Sequence, residues 1–206
     1  MASGSPTVLL AAMLVLLLVV CTAATAPAAT VPPTIRAQRG KPNTITSPPA
    51  VRALVQSTCN ATTYYDLCVA ALVADPSSST ADLRGLCASA VSTAAANASA
   101  TQAALANNAT TSLGSRGSPD SVALLSRSCA GKYGEAREAL LEARESVGEE
   151  AYDYAFVHVS AAAEYPAVCR TLFRRKRVAY PAELAKREEA LEKLCTVAID
   201  IITLLS

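Results

Sequence analysis

The sequence predicts an all-α protein, an up-and-down four-helix bundle with an N-terminal helical hairpin, stapled by disulfides. Three observations carry this. Apolar and small residues recur at spacings of three and four over four long stretches, with no strand-like alternation of useful length. Hydrophobic residues make up 51% of the 206 positions but aromatics only 4%, so the apolar content is Ala, Leu and Val, a mixture that favours helices over strands. The connections between the stretches are short, which makes successive helices antiparallel neighbours.

The elements follow in order. From Val8 to Val20 the chain is uncharged and almost wholly apolar, and small residues follow from Cys21 to Ala26. A bilayer span wants about 20 apolar residues, so residues 1–26 read as a removable signal peptide, leaving no membrane contact after cleavage. Residues 27–50 hold six of the eleven prolines without apolar periodicity, the pattern of an extended linker. The folded domain is placed at 51–206. It opens with a short helical segment through Val51, Leu54 and Val55, then Cys59, Cys68 and Leu72, ending before Asp75-Pro76. Helix one runs over about 80–108 through Leu83, Leu86, Cys87, Ala90, Val91, Ala94, Ala98, Thr101 and Leu105. The Gly-containing stretch 109–117 ends it, and Ser118-Pro119-Asp120 opens helix two with Val122, Leu125, Cys129, Tyr133, Ala136, Leu140, Ala143 and Val147 on one face. Gly148 fits its C-terminus. Helix three carries Tyr152, Ala155, Phe156, Val159, Ala162, Cys169 and Phe173, with a kink at Pro166. Helix four begins at Pro181 and carries Leu184, Leu191, Leu194, Cys195, Ala198 and Ile202.

Removing the signal removes Cys21 and leaves six cysteines, an even number in an exported chain. Cys129 and Cys169 fall at comparable heights on antiparallel neighbours, which makes a bridge sterically reasonable, while Cys59 and Cys68 close a local hairpin. Cys87 and Cys195 fall on the apolar faces of helices one and four, and counting from helix ends brings them together in the core, as a third disulfide or as two buried free thiols. Asn60, Asn97 and Asn108 head Asn-x-Ser/Thr sequons, candidates for N-glycosylation in a secretory lumen.

Lys plus Arg total 18 against 17 Asp plus Glu, a formal charge of +1 that gives no electrostatic reason to expect nucleic acid. Catalysis is not expected either. His158 is the only histidine, and no Gly-x-Ser-x-Gly elbow exists. No metal and no cofactor are expected, since no two cysteines stand two to four residues apart. Glu135, Glu138, Glu142, Glu145 and Glu149 form an acidic stripe on helix two, read as a solvated face or, at Glu138, Glu142 and Glu145, as a docking surface for a basic partner. The basic cluster Arg170, Arg174, Arg175, Lys176 and Arg177 is read as a solvated loop or as a contact for a polyanion.

Four features together resemble a known family. These are the Cys59-Asn60-Ala61-Thr62-Thr63-Tyr64-Tyr65-Asp66-Leu67-Cys68 hairpin, Cys129 to Cys169 with Tyr133 and Ala136 between them, Val159-Ser160-Ala161-Ala162-Ala163, and the closing helix Leu184 to Leu205 with Lys186-Arg187 near its start. They resemble the plant inhibitors of pectin methylesterase and invertase, four-helix-bundle proteins of the cell wall, over about residues 51–206. The resemblance implies bridges Cys59–Cys68 and Cys129–Cys169, and leaves Cys87 and Cys195 unassigned. It implies a secreted, extracellular inhibitor of the cell wall or apoplast, a monomer until it forms a one-to-one complex across the pectin cleft of pectin methylesterase. Invertase is the alternative target, and a non-inhibitory structural helical protein the alternative of another class. Family members of the tobacco type that act on invertase carry Pro-Lys-Phe before the third bundle helix. The corresponding stretch, Gly148-Glu149-Glu150-Ala151-Tyr152-Asp153-Tyr154, lacks it, which leans toward the esterase.

Overall fold

A computed structural model describes residues 49–75, 82–112 and 120–206, without the side chains of 108–112 and 120. The signal peptide and all but the last two positions of the Pro-rich linker lie outside the described residues. Among the described residues every regular element is helical: α1 Pro49–Asn60, α2 Tyr65–Ala74, α3 Leu83–Ser112, α4 Asp120–Gly148, α5 Tyr152–Glu164, α6 Ala167–Arg175 and α7 Ala182–Thr203. The α1–α2 hairpin packs against α3, with α2 also touching α7, and the bundle closes as α3 on α4, α4 on α5 and α6, α5 on α7 and α7 on α3.

One spacing explains the bundle. Buried positions step by four and three along each helix: Cys87, Val91, Ala94, Ala98, Thr101 and Leu105 on α3, and Cys129, Tyr133, Ala136, Leu140, Ala143 and Val147 on α4. The same step gives Leu184, Glu188, Leu191, Cys195, Ala198 and Ile202 on α7. It also runs unbroken through Ala155, Val159, Ala162, Pro166, Cys169 and Phe173. A stripe averaging 3.5 residues keeps one seam inward on helices that cross at a shallow angle, the geometry of four-helix bundles. Pro166 removes an amide and divides the third rod into α5 and α6, yet it occupies a stripe position itself, so the seam keeps its register across the break.

Small residues on α3 and α4 bring these two rods close. A Cβ added at Gly134 would stand 2.7 Å from Gln102 Nε2. At the far end of the same pair Arg84 forms an ion pair with Glu150.

Three expectations change. Gly148 ends α4, but the left-handed residue of that terminus is Glu150, with φ 59°. Ala151 N–H donates to Ser146 O at 2.9 Å and Glu150 N–H to Val147 O at 3.2 Å, the paired bonds of a Schellman cap. The end of α6 repeats this arrangement around Arg177, with φ 55°, through Val178 N–H to Phe173 O and Arg177 N–H to Arg174 O, both 3.0 Å. Phe156, placed on the core face from its spacing, is instead exposed, because the seam of α5 runs through Ala155 and Val159 and turns Phe156 outward. Helix one also extends further than expected, to Ser112.

Candidate partner-docking face

The disulfides join Cys59 to Cys68 and Cys129 to Cys169, with Cα separations of 5.5 and 5.4 Å. The first fastens the α1–α2 hairpin; the second ties α4 to α6 beyond the Pro166 break. Cys87 and Cys195 are free thiols in the core, and burial pushes each up to about 12. A thiol so protonated is a poor nucleophile and a poor metal ligand. Of the two arrangements open to them, a third disulfide or two buried free thiols, the structure has the free thiols.

His158 sits half-buried on α5 with Nδ1 3.1 Å from Glu142 Oε2 on α4. It is engaged in joining two rods. Among the described residues no three His, Cys, Asp or Glu side chains cluster in a way that could hold a metal ion, and no helix is long and apolar enough to cross a membrane.

Glu135, Glu138, Glu142, Glu145 and Glu149 are all exposed along α4. They do not form the continuous anionic stripe that their spacing suggests. Glu135 pairs with Lys132 at 2.7 Å, Glu138 with Arg137, and Glu142 with His158. Glu138, Leu141, Glu142, Arg144 and Glu145 together line a shallow depression. Across the α4–α5 seam Tyr154 lies one turn before His158 on the same side of α5 and is 69% exposed; its neighbour Val157 is 60% exposed. The face thus combines carboxylates with an unburied tyrosine, a composition suited to protein contact, since tyrosines anchor interfaces. Tyr154 gave no signal in the sequence beyond being an aromatic off the 3.5-residue seam.

A second arrangement escaped the sequence reading. Glu188 occupies a core position between Leu184 and Leu191 and is 7% exposed. Tyr180 Oη donates to its Oε2 at 2.6 Å, and Arg170 Nη2 lies 3.2 Å from Oε1. The Arg170 guanidinium also stacks 5.7 Å from the Tyr180 ring centroid, and Phe173 meets that ring edge-on at 5.3 Å. Burial first, and then the Glu188 carboxylate, push the Tyr180 and Tyr133 phenols upward. The cluster clamps the connection from α6 to α7, so Arg170 is a structural cation and not part of a free basic patch. Glu188 was findable, because it falls on a seam position where a charged residue needs partners.

The asparagines differ. Asn60 is exposed at the end of α1, Asn97 is half-buried in α3, and the Asn108 side chain lies outside the described residues.

The fold and this face define a disulfide-stapled helical bundle with an exposed, carboxylate-bearing face. Comparison with known proteins gives it a family. The family model for the plant invertase/pectin methylesterase inhibitor matches residues 53–201, and the chain belongs to that family. It is 60% identical over 162 residues to pectinesterase inhibitor 28 of Oryza sativa subsp. japonica, covering 77% of this chain and 71% of that protein. It is 40% identical over 151 residues to cell wall / vacuolar inhibitor of fructosidase 2 of Arabidopsis thaliana, covering 72% and 81%. In fold it matches a pectin methylesterase inhibitor from Arabidopsis thaliana at TM-score 0.53 and 21% identity, over 75% of this chain and 97% of the other. A mutant form of an Arabidopsis pectin methylesterase inhibitor matches at TM-score 0.58 and 22% identity, over 74% and 97%. The protein is thus an inhibitor, not an enzyme, of an extracellular cell-wall family. Family membership sets aside the reading as a non-inhibitory structural protein.

Proposed function

We propose that this chain is secreted to the cell wall and inhibits pectin methylesterase by forming a one-to-one complex across the enzyme's pectin-binding cleft. The observation that carries the target is the 60% identity to pectinesterase inhibitor 28. Invertase is the second reading, favoured by the 40% identity to the fructosidase inhibitor. Glu138, Glu142 and Glu145, flanked by Tyr154, are the proposed contact. Carboxylates there steer a basic enzyme, and Tyr154 supplies apolar area at small entropic cost.

Adding the purified protein to each enzyme, and following methanol release from pectin and sucrose hydrolysis, separates the two targets. Only the esterase reaction is expected to stop, with a heterodimer on gel filtration from a protein that runs alone as a monomer. Converting Glu138, Glu142 and Glu145 to Gln is expected to slow association and flatten its salt dependence, with helix content intact. An unchanged on-rate would return these residues to a solvated role.

A further inference from the structure

Two sequons with described side chains sit in opposite surroundings. Asn60 is exposed at the last position of α1, and Ala61 beside it is exposed as well. Beyond Asn60 the chain turns, with Ala61 N–H donating to Thr58 O at 3.1 Å and Thr62 N–H to Cys59 O at 3.0 Å. The Thr62 hydroxyl donates to the same Cys59 carbonyl at 2.8 Å. No regular helix begins again until Tyr65, so opening this sequon loosens a turn inside the Cys59–Cys68 ring and the Thr63 N–H bond to Asp200 Oδ2 at 2.7 Å, while every bundle helix stays intact.

Asn97 lies in the middle of α3. Its Oδ1 is buried and finds no hydrogen-bond partner, Ala98 and Thr101 beside it are fully buried, and its carbonyl accepts the Thr101 hydroxyl at 3.0 Å. Presenting this sequon to a transferase requires unwinding a helix packed on two bundle neighbours. A sugar on its amide would also have to stand at a side chain whose other end is wedged into the protein.

We propose that, of these two sequons, Asn60 is N-glycosylated in the mature chain and Asn97 is not. The Asn60 amide nitrogen attacks the anomeric carbon of a lipid-linked oligosaccharide pyrophosphate. The carbon–oxygen bond breaks as the carbon–nitrogen bond forms, and the amide proton goes to the departing lipid pyrophosphate, with no change of oxidation state. The hairpin that carries Asn60 packs on α3 and α7, the rods other than the α4 and α5 of the proposed contact face. The inference rests on the proposed secretion for its compartment and on the proposed contact face for its compatibility with inhibition.

The test secretes the full-length chain from plant cells, maps its glycopeptides by mass spectrometry, and titrates it against the esterase before and after deglycosylation. Sugar is expected on the Asn60 peptide and absent from the Asn97 peptide. Asn60→Gln should lose that glycan and Asn97→Gln should keep it, and deglycosylation should change inhibition less than about twofold. A bare Asn60 in a secreted, inhibitory chain, or sugar on Asn97, overturns this assignment and leaves the inhibitor reading standing. A chain glycosylated at Asn60 that inhibits neither enzyme overturns the inhibitor reading alone. A chain that never reaches the medium and carries no sugar overturns both.

Discussion

Single side chains in this core are asked to do unusual things, and the consequences are measurable. Asn97 places an amide oxygen in the protein without a partner, inside a helix that asparagine disfavours. Asn97→Ala removes the stranded acceptor and improves helix propensity, so it is expected to stabilise the fold by roughly 0.5–1.5 kcal/mol in urea melts. Destabilisation would mean that the asparagine is satisfied by water. Glu188 is the opposite case, a buried carboxylate whose two oxygens are both engaged. Glu188→Ala strands the Tyr180 hydroxyl and releases Arg170, and is expected to cost about 2–3 kcal/mol, read as a lower urea midpoint at unchanged slope. A cost near zero would show that the clamp merely decorates the α6–α7 connection.

At the scale of the helix, both Schellman caps are built on residues that avoid the conformation they adopt. A side chain in the left-handed region costs about 1–2 kcal/mol relative to glycine, and glycine returns about 0.5–1 of that as unfolded-state entropy. Arg177→Gly should therefore gain about 0.5–1 kcal/mol and raise the melting temperature by about 1–4 °C. No gain would indicate that the arginine side chain makes a compensating contact in the folded protein. This is also where legibility in the sequence failed. The helices, the break at Pro166 and the seam could be read because periodicity records burial directly. The caps could not, since glycine is only the commonest left-handed residue, and Glu150 and Arg177 carry no mark of their φ. Phe156 misled for a related reason: an aromatic one position off the seam looks apolar in any window, and only the packed rod shows which way it points.

Across the whole molecule, packing between rods decided what spacing alone could not. The carboxylate stripe and its local cations Lys132 and Arg137 were visible in the sequence, whereas the pairing of Glu142 with His158 needed a neighbour from another helix. The same packing holds groups protonated. Cys87 and Cys195 ionise near 9 when unfolded but near 12 in the core, so the folded state retains protons that the unfolded chain releases. Their contribution is complete below pH 9 and is lost as pH rises toward 12, and Tyr133 and Tyr180, also pushed upward, act in the same direction. The urea midpoint is expected to fall steadily from pH 8.5 to 10.5, about as steeply as proton linkage allows for two titrating groups, and less steeply in a Cys87→Ala, Cys195→Ala variant. Equal slopes would mean that the thiols ionise freely in the folded state. The bridge from Cys129 to Cys169, 40 positions apart, has a topological consequence. It makes the last two-thirds of α4, the exposed turn after Gly148, all of α5 and the start of α6 into one covalent ring, and Glu138, Glu142, Glu145 and Tyr154 all ride on it. A protease that cuts the chain in that turn opens the ring but frees no piece: the new ends remain tethered at the far side, and a clipped inhibitor keeps its mass until a reductant reaches the sulfurs.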